Sequence, residues 1–421
     1  MAGHRVAVTG IGAVTPIGHG ARGLWDGVLA NRSAVRAIDR FDASPFPSRI
    51  AAQIDDFDAA DHLDVRRARR LDRFSQLAVV AARMAADDGC WSTADHDPAR
   101  TGVWIGSALG GVAFGEAQHA AYVERGIRAV SPTLATAVFG GAAASNVAID
   151  QGIHGPAIGN ANSCASGATA IGQAFHAIRS GIVDAAIAGG AEAPLAPLTF
   201  GAFAMIGVLS TRNDDPSTAS RPFDAGRDGF VMGEAAAMLT LERWDLAEAR
   251  GARILAELVG FGASTDAHHP TAPLPSGAIA AAAITSALAD GAVAPGEIGY
   301  VNAHASSTPL NEVAEVNALR VALGPHAATV PVSGTKGLYG HALGASGAVE
   351  AAITSLALHH RLLPGTCNLA TLDEACELNV LGAATRATAH AALSTSFGFG
   401  GLNAALVLRR STNSEGRPGR L

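Results

Sequence analysis

The sequence predicts an α/β fold with sheets covered on both faces, and three observations carry that prediction. Short apolar strands alternate along the chain with helices made of small residues, the pattern of strands buried between helical layers. Hydrophobic residues make up 48% of the 421 and charged residues only 16%, the composition of a well-buried globular chain and not of a disordered one. Glycine is abundant, at 49 residues, while aromatics are 5%; side chains this small suit helices packed close on sheets and narrow internal channels. The length suffices for two core-sized units or one large fused domain.

Taken in order, residues 6–9 read as a strand that runs into a Gly-rich turn at Gly10-Ile11-Gly12. Residues 102–106 form a second strand, and 168–179 have the small-residue pattern of a helix. A buried strand follows at 185–190 and ends at two glycines; another spans 235–241, with 247–250 inside a short helix. Residues 254–259 are again a strand, and the alanine density of 278–288 marks a helix. The apolar strand 300–303 delivers a histidine, 344–359 is a long helix, and 404–408 is the last strand. Val8-Thr9-Gly10-Ile11-Gly12 is echoed by Leu258-Val259-Gly260-Phe261-Gly262, each a strand leading into a Gly-x-Gly turn. The echo suggests two similar halves, 1–252 and 253–410, sharing an interface, with 411–421 a polar tail expected to fray. Gly10-Ile11-Gly12 also resembles the start of a dinucleotide fingerprint, but Thr15 stands at the third glycine position and no acidic strand end follows.

Several function classes are disfavoured. No apolar run has membrane-spanning length, and the first residues run straight into a strand without a signal-peptide pattern, so a cytoplasmic protein is expected. Four scattered cysteines make neither a disulfide framework nor zinc spacing, and no metal site is expected. A net charge of −7 argues against nucleic-acid binding. Among 30 basic residues, 29 are arginine and one is lysine, Lys336. Either chance kept it, or the position needs a compact ammonium that a planar guanidinium cannot replace.

Four stretches carry candidate chemistry. Cys164 lies in Asn160-Ala161-Asn162-Ser163-Cys164-Ala165-Ser166-Gly167, flanked by small residues and followed by the first helix. Near a helix N-terminus the unpaired N–H groups and the dipole favour a thiolate and can also hold an oxyanion; a buried structural cysteine is the plainer alternative. His304 follows an apolar strand and precedes the hydroxyl-rich Ser306-Ser307-Thr308, at a strand end where ligands gather in α/β proteins. With fifteen histidines in the chain, a loop histidine with no function is the alternative. Lys336 and His341 share a Gly-rich stretch that opens the long helix, with Glu350 further along to pair with Lys336. A helix N-terminus there would keep His341 neutral, and the stretch lacks the spacing of a phosphate-binding loop. Ser396-Phe397-Gly398-Phe399-Gly400-Gly401 reads as a mobile loop with an aromatic at its tip, able to supply an N–H to an oxyanion or to gate a channel, or else as a plain turn.

Together with Arg221-Pro222-Phe223-Asp224, Arg227-Asp228-Gly229-Phe230-Val231 and Gly233-Glu234, these motifs resemble the β-ketoacyl-acyl-carrier-protein synthases of the ketosynthase II type, over residues 5–408. The resemblance implies the thiolase fold, two duplicated α/β halves stacked as a five-layered αβαβα sandwich, and a condensing acyltransferase of fatty-acid or polyketide assembly. It implies Cys164 as nucleophile, His304 and His341 as the two active-site histidines, Lys336 as their support and Glu350 as its acidic partner. Phe399, flanked by Gly398 and Gly400, would be the gate, its N–H joining that of Cys164 in an oxyanion hole. Thr271, Ser306 and Thr308 fall where the family binds pantetheine, and Leu109 and Phe203 where it lines the acyl pocket. No cofactor is implied beyond the phosphopantetheine of an acyl carrier protein partner. Arg66, Arg67, Arg69 and Arg70 form a basic cluster for that acidic carrier, or a solvated helix face. A homodimer is implied, or a heterodimer with a related chain that lacks the cysteine. Ala305-Ser306, Asn162-Ser163 and Gly207 depart from the common pattern of Gly-Thr, Thr-Ala and a basic residue, which points to a specialised pathway such as polyketide assembly. A thiolase would carry a second cysteine in the region of residues 397–400, and none is there. A cysteine hydrolase would need a base placed to activate water, and two histidines with a lysine suit condensation better.

Overall fold

A computed structural model describes residues 3–411. Its main sheet is built from β1 (Val6–Thr15), β2 (Thr101–Gly106), β3 (Ala157–Asn160), β4 (Ala185–Glu192), β5 (Ala235–Arg243), β6 (Ala256–Thr265), β7 (Ile298–Asn302), β8 (Pro331–Ser333), β9 (Asn379–Val380), β10 (Ala391–Gly398) and β11 (Leu402–Arg410). They lie in the order β9-β8-β7-β10-β11-β6-β1-β5-β4-β2-β3, with Gly18–His19 folded back on the end of β1. The path has a narrow seam. β1 and β6 pair only over Val6–Val8 against Ala256–Leu258, after which β1 continues with β5 and β6 with β11. On each side of the seam the arrangement is the same. β3-β2-β4 run parallel and meet β5 and β1 antiparallel; β8-β7-β10 run parallel and meet β11 and β6 antiparallel.

Two helices fill the space between these sheets. α2 (Ser166–Arg179) and α5 (Ser346–His360) each touch strands from both sides of the seam and touch each other. Both are buried around most of their circumference, which their Ala, Gly, Ser and Thr content allows. A Cβ on Gly167 would lie 2.9 Å from Ala348 N, and one on Gly347 would lie 2.8 Å from Ala168 N, so a glycine on each helix lets the other's backbone in. α1 (Arg73–Asp88) covers the outer face of β1, β4 and β5; α3 (Ala278–Asp290), backed by α4 (Asn311–Leu323), covers β6 and β11. Helix, sheet, helices, sheet, helix are the five layers of the thiolase fold.

The Gly-x-Gly pairs are not turns. β1 runs unbroken through Gly10 and Gly12, and β6 through Gly260 and Gly262. A Cβ at these positions would sit 2.2 and 1.9 Å from the carbonyls of Ala85 and Ala81 on α1, and 2.1 Å from those of Ala287 and Ala283 on α3. The glycines let an outer helix rest on the strand itself. The same geometry recurs at the helix ends, where Ile11 N–H donates to Asp88 (2.9 Å) and Phe261 N–H to Asp290 (3.1 Å). Other expected elements hold with shifted or longer bounds: the strand expected at 254–259 is Ala256–Thr265, that at 300–303 is Ile298–Asn302, the last strand is Leu402–Arg410 and the short helix is Trp244–Ala249. The long helix is preceded by a separate 3₁₀ turn, Leu343–Ala345. Ser411, the first residue of the expected tail, is buried; 412–421 lie outside the described residues.

Candidate active site

The N-terminal ends of α2 and α5 meet at one cavity of about 380 Å³. Cys164 is lodged in the 3₁₀ turn Ser163–Ala165 between β3 and α2. Ser163 adopts φ 51°, a left-handed kink that turns the chain from strand to helix, and Ser166 Oγ donates to its carbonyl (2.6 Å). Leu343, at φ 40°, makes the matching kink before α5. Cys164 is 6% exposed. Its thiol was expected to be acidified by the helix N-terminus; burial instead dominates and pushes it above the ordinary cysteine range. The Ser163 hydroxyl (3.8 Å from Sγ), the charge of Lys336 and the Phe399 N–H pull the other way.

His304 follows β7 in a loop of strained backbone, with Ala305 at φ 39° and Ser307 at φ 72°. The loop is held by buried acids on α4. Glu315 accepts the N–H groups of His304 and Ala305 (both 2.8 Å), and Glu312 accepts those of Ser307 and Thr308. Arg227 supports the far side by donating to the carbonyls of Thr308 and Pro309. His341 sits between Gly340 and α5, its N–H on Val231 O (2.7 Å) and its Nδ1 2.8 Å from Ser346 Oγ. The two imidazoles meet edge-to-face at 5.2 Å between centroids and 80° between planes; Phe230 packs edge-on against His341 at 5.2 Å. Burial, then the nearby charge of Lys336, holds both rings well below the ordinary histidine pKa, so both are neutral. His341 was expected to be kept neutral by a helix terminus; desolvation is the larger cause.

Lys336 is fully buried, and its three N–H donors face three acceptors: Glu350, His304 O at 2.5 Å and His304 Nδ1 at 3.4 Å. A planar guanidinium has no such tripod, which gives the single lysine a physical reason. Glu350 lies behind this layer and does not line the cavity; burial pushes its carboxyl up to about 8 while the ammonium pulls it down.

Cys164, His304, His341, Phe399, Gly398, Thr271, Ser306, Thr308, Leu109 and Phe203 all line the cavity. Phe399 stacks on Phe203 at 6.2 Å and 20°. A Cβ on Gly398 would lie 3.0 Å from Cys164 N, so this glycine keeps the loop tight on the nucleophile's backbone. Gly400, at φ 80°, is outside the lining and donates its N–H to Pro270 O (2.7 Å), joining the loop to the segment that bears Thr271. The basic cluster divides. Arg67 turns inward to Asp150 and Asn146 O, while Arg66, Arg69 and Arg70 are exposed and outside the lining. Glu312, Glu315 and Arg227 were not anticipated as a frame for the His304 loop. The signal available was an Asn-Glu-x-x-Glu run after the hydroxyl-rich turn, with Glu315 set between the apolar Ala314 and Val316.

The chain is similar to known proteins along nearly its whole length. The N-terminal domain of beta-ketoacyl synthase matches residues 3–247 and the C-terminal domain 255–370. A 3-oxoacyl-acyl-carrier-protein synthase 2 from Synechocystis sp. is 42% identical over 407 residues, 96% of this chain and 98% of that one. A solved ishigamide ketosynthase/chain length factor is 33% identical at TM-score 0.91, covering 97% of this chain and all of the other. A ketosynthase bound to the hexaketide, in complex with its type II PKS acyl-carrier protein, is 31% identical at TM-score 0.89, with the same coverage. With both halves matched and a relative this similar along nearly its whole length, the chain belongs to the beta-ketoacyl synthase family.

Proposed function

We infer that the chain is a condensing acyltransferase that joins an acyl thioester to a malonyl thioester with loss of carbon dioxide, and that Cys164, His304 and His341 carry the reaction. The observation that supports this most is a buried cysteine sharing one cavity with two neutral imidazoles. Cys164 attacks the first thioester, the thiol proton leaves with the carrier thiol, and an acyl-enzyme forms. Its N–H and that of Phe399 hold the oxyanion. Lys336 donates toward Nδ1 of His304, so that ring presents an Nε2–H; with the Ser346 hydroxyl as the donor to Nδ1 of His341, the second ring presents one too. These two donors bind the malonyl thioester oxygen as carbon dioxide departs and stabilise the enolate. The carbanion attacks the acyl-enzyme carbonyl, the carbon–carbon bond forms, and the Cys164 thiolate leaves. The chemistry asks for no metal or redox cofactor.

Thr271, Ser306 and Thr308 line the route for a pantetheine arm, and Leu109 and Phe203 the acyl end. The partner is an acyl carrier protein that docks on Arg66, Arg69 and Arg70. A homodimer is supported by the exposed edge strand β3, where Ile158 is 42% exposed, and by exposed Tyr122, Val123 and Phe139. The likeness to a ketosynthase/chain length factor supports a heterodimer and polyketide assembly as the second reading. No helix among the described residues is long and apolar enough to cross a membrane, and we place the enzyme in the cytoplasm. Intact-mass analysis after incubation with a panel of acyl-carrier thioesters tests the assignment: the acyl group loads on Cys164 and Cys164→Ala takes none. A Cys164→Ala protein that still accepts the acyl group defeats it.

A further inference from the structure

Glu192 ends β4 fully buried, and the reaction above does not use it. Its Oε1 accepts from the Ser107 hydroxyl (2.9 Å) and the Leu109 N–H (3.2 Å), and its Oε2 from the N–H groups of Ala108 (2.6 Å) and Gly344 (2.9 Å). The donors come from two separate pieces of chain. One is the turn after β2, which puts Leu109 in the cavity wall. The other is the kinked turn between His341 and α5, which puts Leu343 there. The two turns touch. A Cβ on Gly344 would lie 2.3 Å from Ala108 N and 2.6 Å from Glu192 Oε2. Ser107 Oγ also accepts from Gly110 N–H (3.0 Å), which closes the Leu109 turn on itself. Among the described residues no Arg, Lys or His pairs with Glu192, so backbone and hydroxyl donors alone hold it.

We propose that Glu192 is a positioning residue of the active site, one carboxylate that ties the Leu109 wall of the acyl channel to the turn following His341. Acyl-chain discrimination and the seating of His341 are then set together. The proposal rests on the condensing reading. Glu192→Gln separates the ties, because an amide has one acceptor where the carboxylate has two. With its oxygen at the Oε2 position it keeps Ala108 and Gly344, gives an N–H to Ser107 Oγ, and loses Leu109. The Leu109 wall loosens while the Gly344 anchor holds.

The test compares wild type with Glu192→Gln in acyl loading from short and long acyl-carrier thioesters, and in the pH dependence of Cys164 alkylation by iodoacetamide. The ratio of kcat/KM between the two chain lengths changes by about tenfold, the size of one lost buried hydrogen bond. The alkylation midpoint moves to lower pH, because the removed charge opposes the thiolate. A carboxylate serving stability alone would leave the chain-length ratio at its wild-type value, whereas the alkylation midpoint reports the removed charge in either case. Ser107→Ala keeps the charge and opens the same turn, so it changes the chain-length ratio and leaves the midpoint in place. A wild-type ratio in Glu192→Gln, with or without a shifted midpoint, overturns the proposal, as does a wild-type ratio in Ser107→Ala should the first variant not fold. A wild-type enzyme that loads no acyl chain would sink the condensing reading and with it the proposal, an outcome distinct from loading with an unchanged ratio.

Discussion

Cys164 sits under opposing influences, and Ser163 is the one a single substitution removes most cleanly. A hydrogen bond to the charged form lowers a pKa, so Ser163→Ala moves the pH midpoint of Cys164 alkylation upward, opposite in sign to Glu192→Gln. Lys336 is the larger commitment. Breaking a buried ion pair by removing one partner costs about 3–5 kcal/mol, so Lys336→Ala lowers the denaturation midpoint steeply, and Lys336→Arg fails to restore condensation for want of the tripod of donors. At this scale the sequence was informative wherever a residue type was rare in its context. A lone lysine and a cysteine among small residues both pointed inward to the site. The sequence could not show the balance of burial against dipole at Cys164, because burial depends on what the rest of the chain packs around the sulfur.

At the scale of elements, strands were legible as short apolar runs and α2, α3 and α5 by their small-residue density. The Gly-x-Gly pairs misled because glycine serves two purposes, a positive φ or a close approach, and only the fold distinguishes them. Gly12→Ala drives a Cβ into the Ala81 carbonyl and costs about 1–3 kcal/mol. Gly296→Ala, in open space, leaves the unfolding midpoint within about 0.5 kcal/mol of wild type. Chemical denaturation of the two variants measures the contrast. α4 escaped a reading by amphipathic stripe because Glu312 and Glu315 face inward to hold the His304 loop. β10 escaped because, although buried on both faces, it carries Ser394, Thr395 and Ser396 in place of aliphatic residues. In both, the residues that hide the element are buried beside the site.

For the molecule as a whole, two sheets of one design meet across α2 and α5, and the cavity lies where those helices begin. The fold therefore holds neutral histidines against water, and stability carries the cost. Both folded-state pKa values lie below the unfolded value of about 6.5. Between folded and unfolded values the unfolded chain binds protons that the folded chain refuses. The contribution of the two histidines is thus full above about pH 6.5 and falls as pH drops through it. Melting scans from about pH 7.5 to about 5.5 read this contribution as the difference between wild type and His341→Gln: the advantage of wild type shrinks as pH falls, because the variant has one fewer group to protonate on unfolding. Buried Glu192, Glu312 and Glu350, raised to about 7, 7 and 8, act in the opposite sense in both proteins.

The most direct measurement separates loading from decarboxylation. Each of His304→Ala and His341→Ala is given an acyl-carrier thioester and then malonyl carrier, with the mass of Cys164 and the released carbon dioxide followed together. The expected result is an acyl-enzyme in both variants and carbon dioxide release reduced by at least about 100-fold, the range of a lost oxyanion donor. Release at the wild-type rate from either variant would contradict the role assigned to the paired imidazoles.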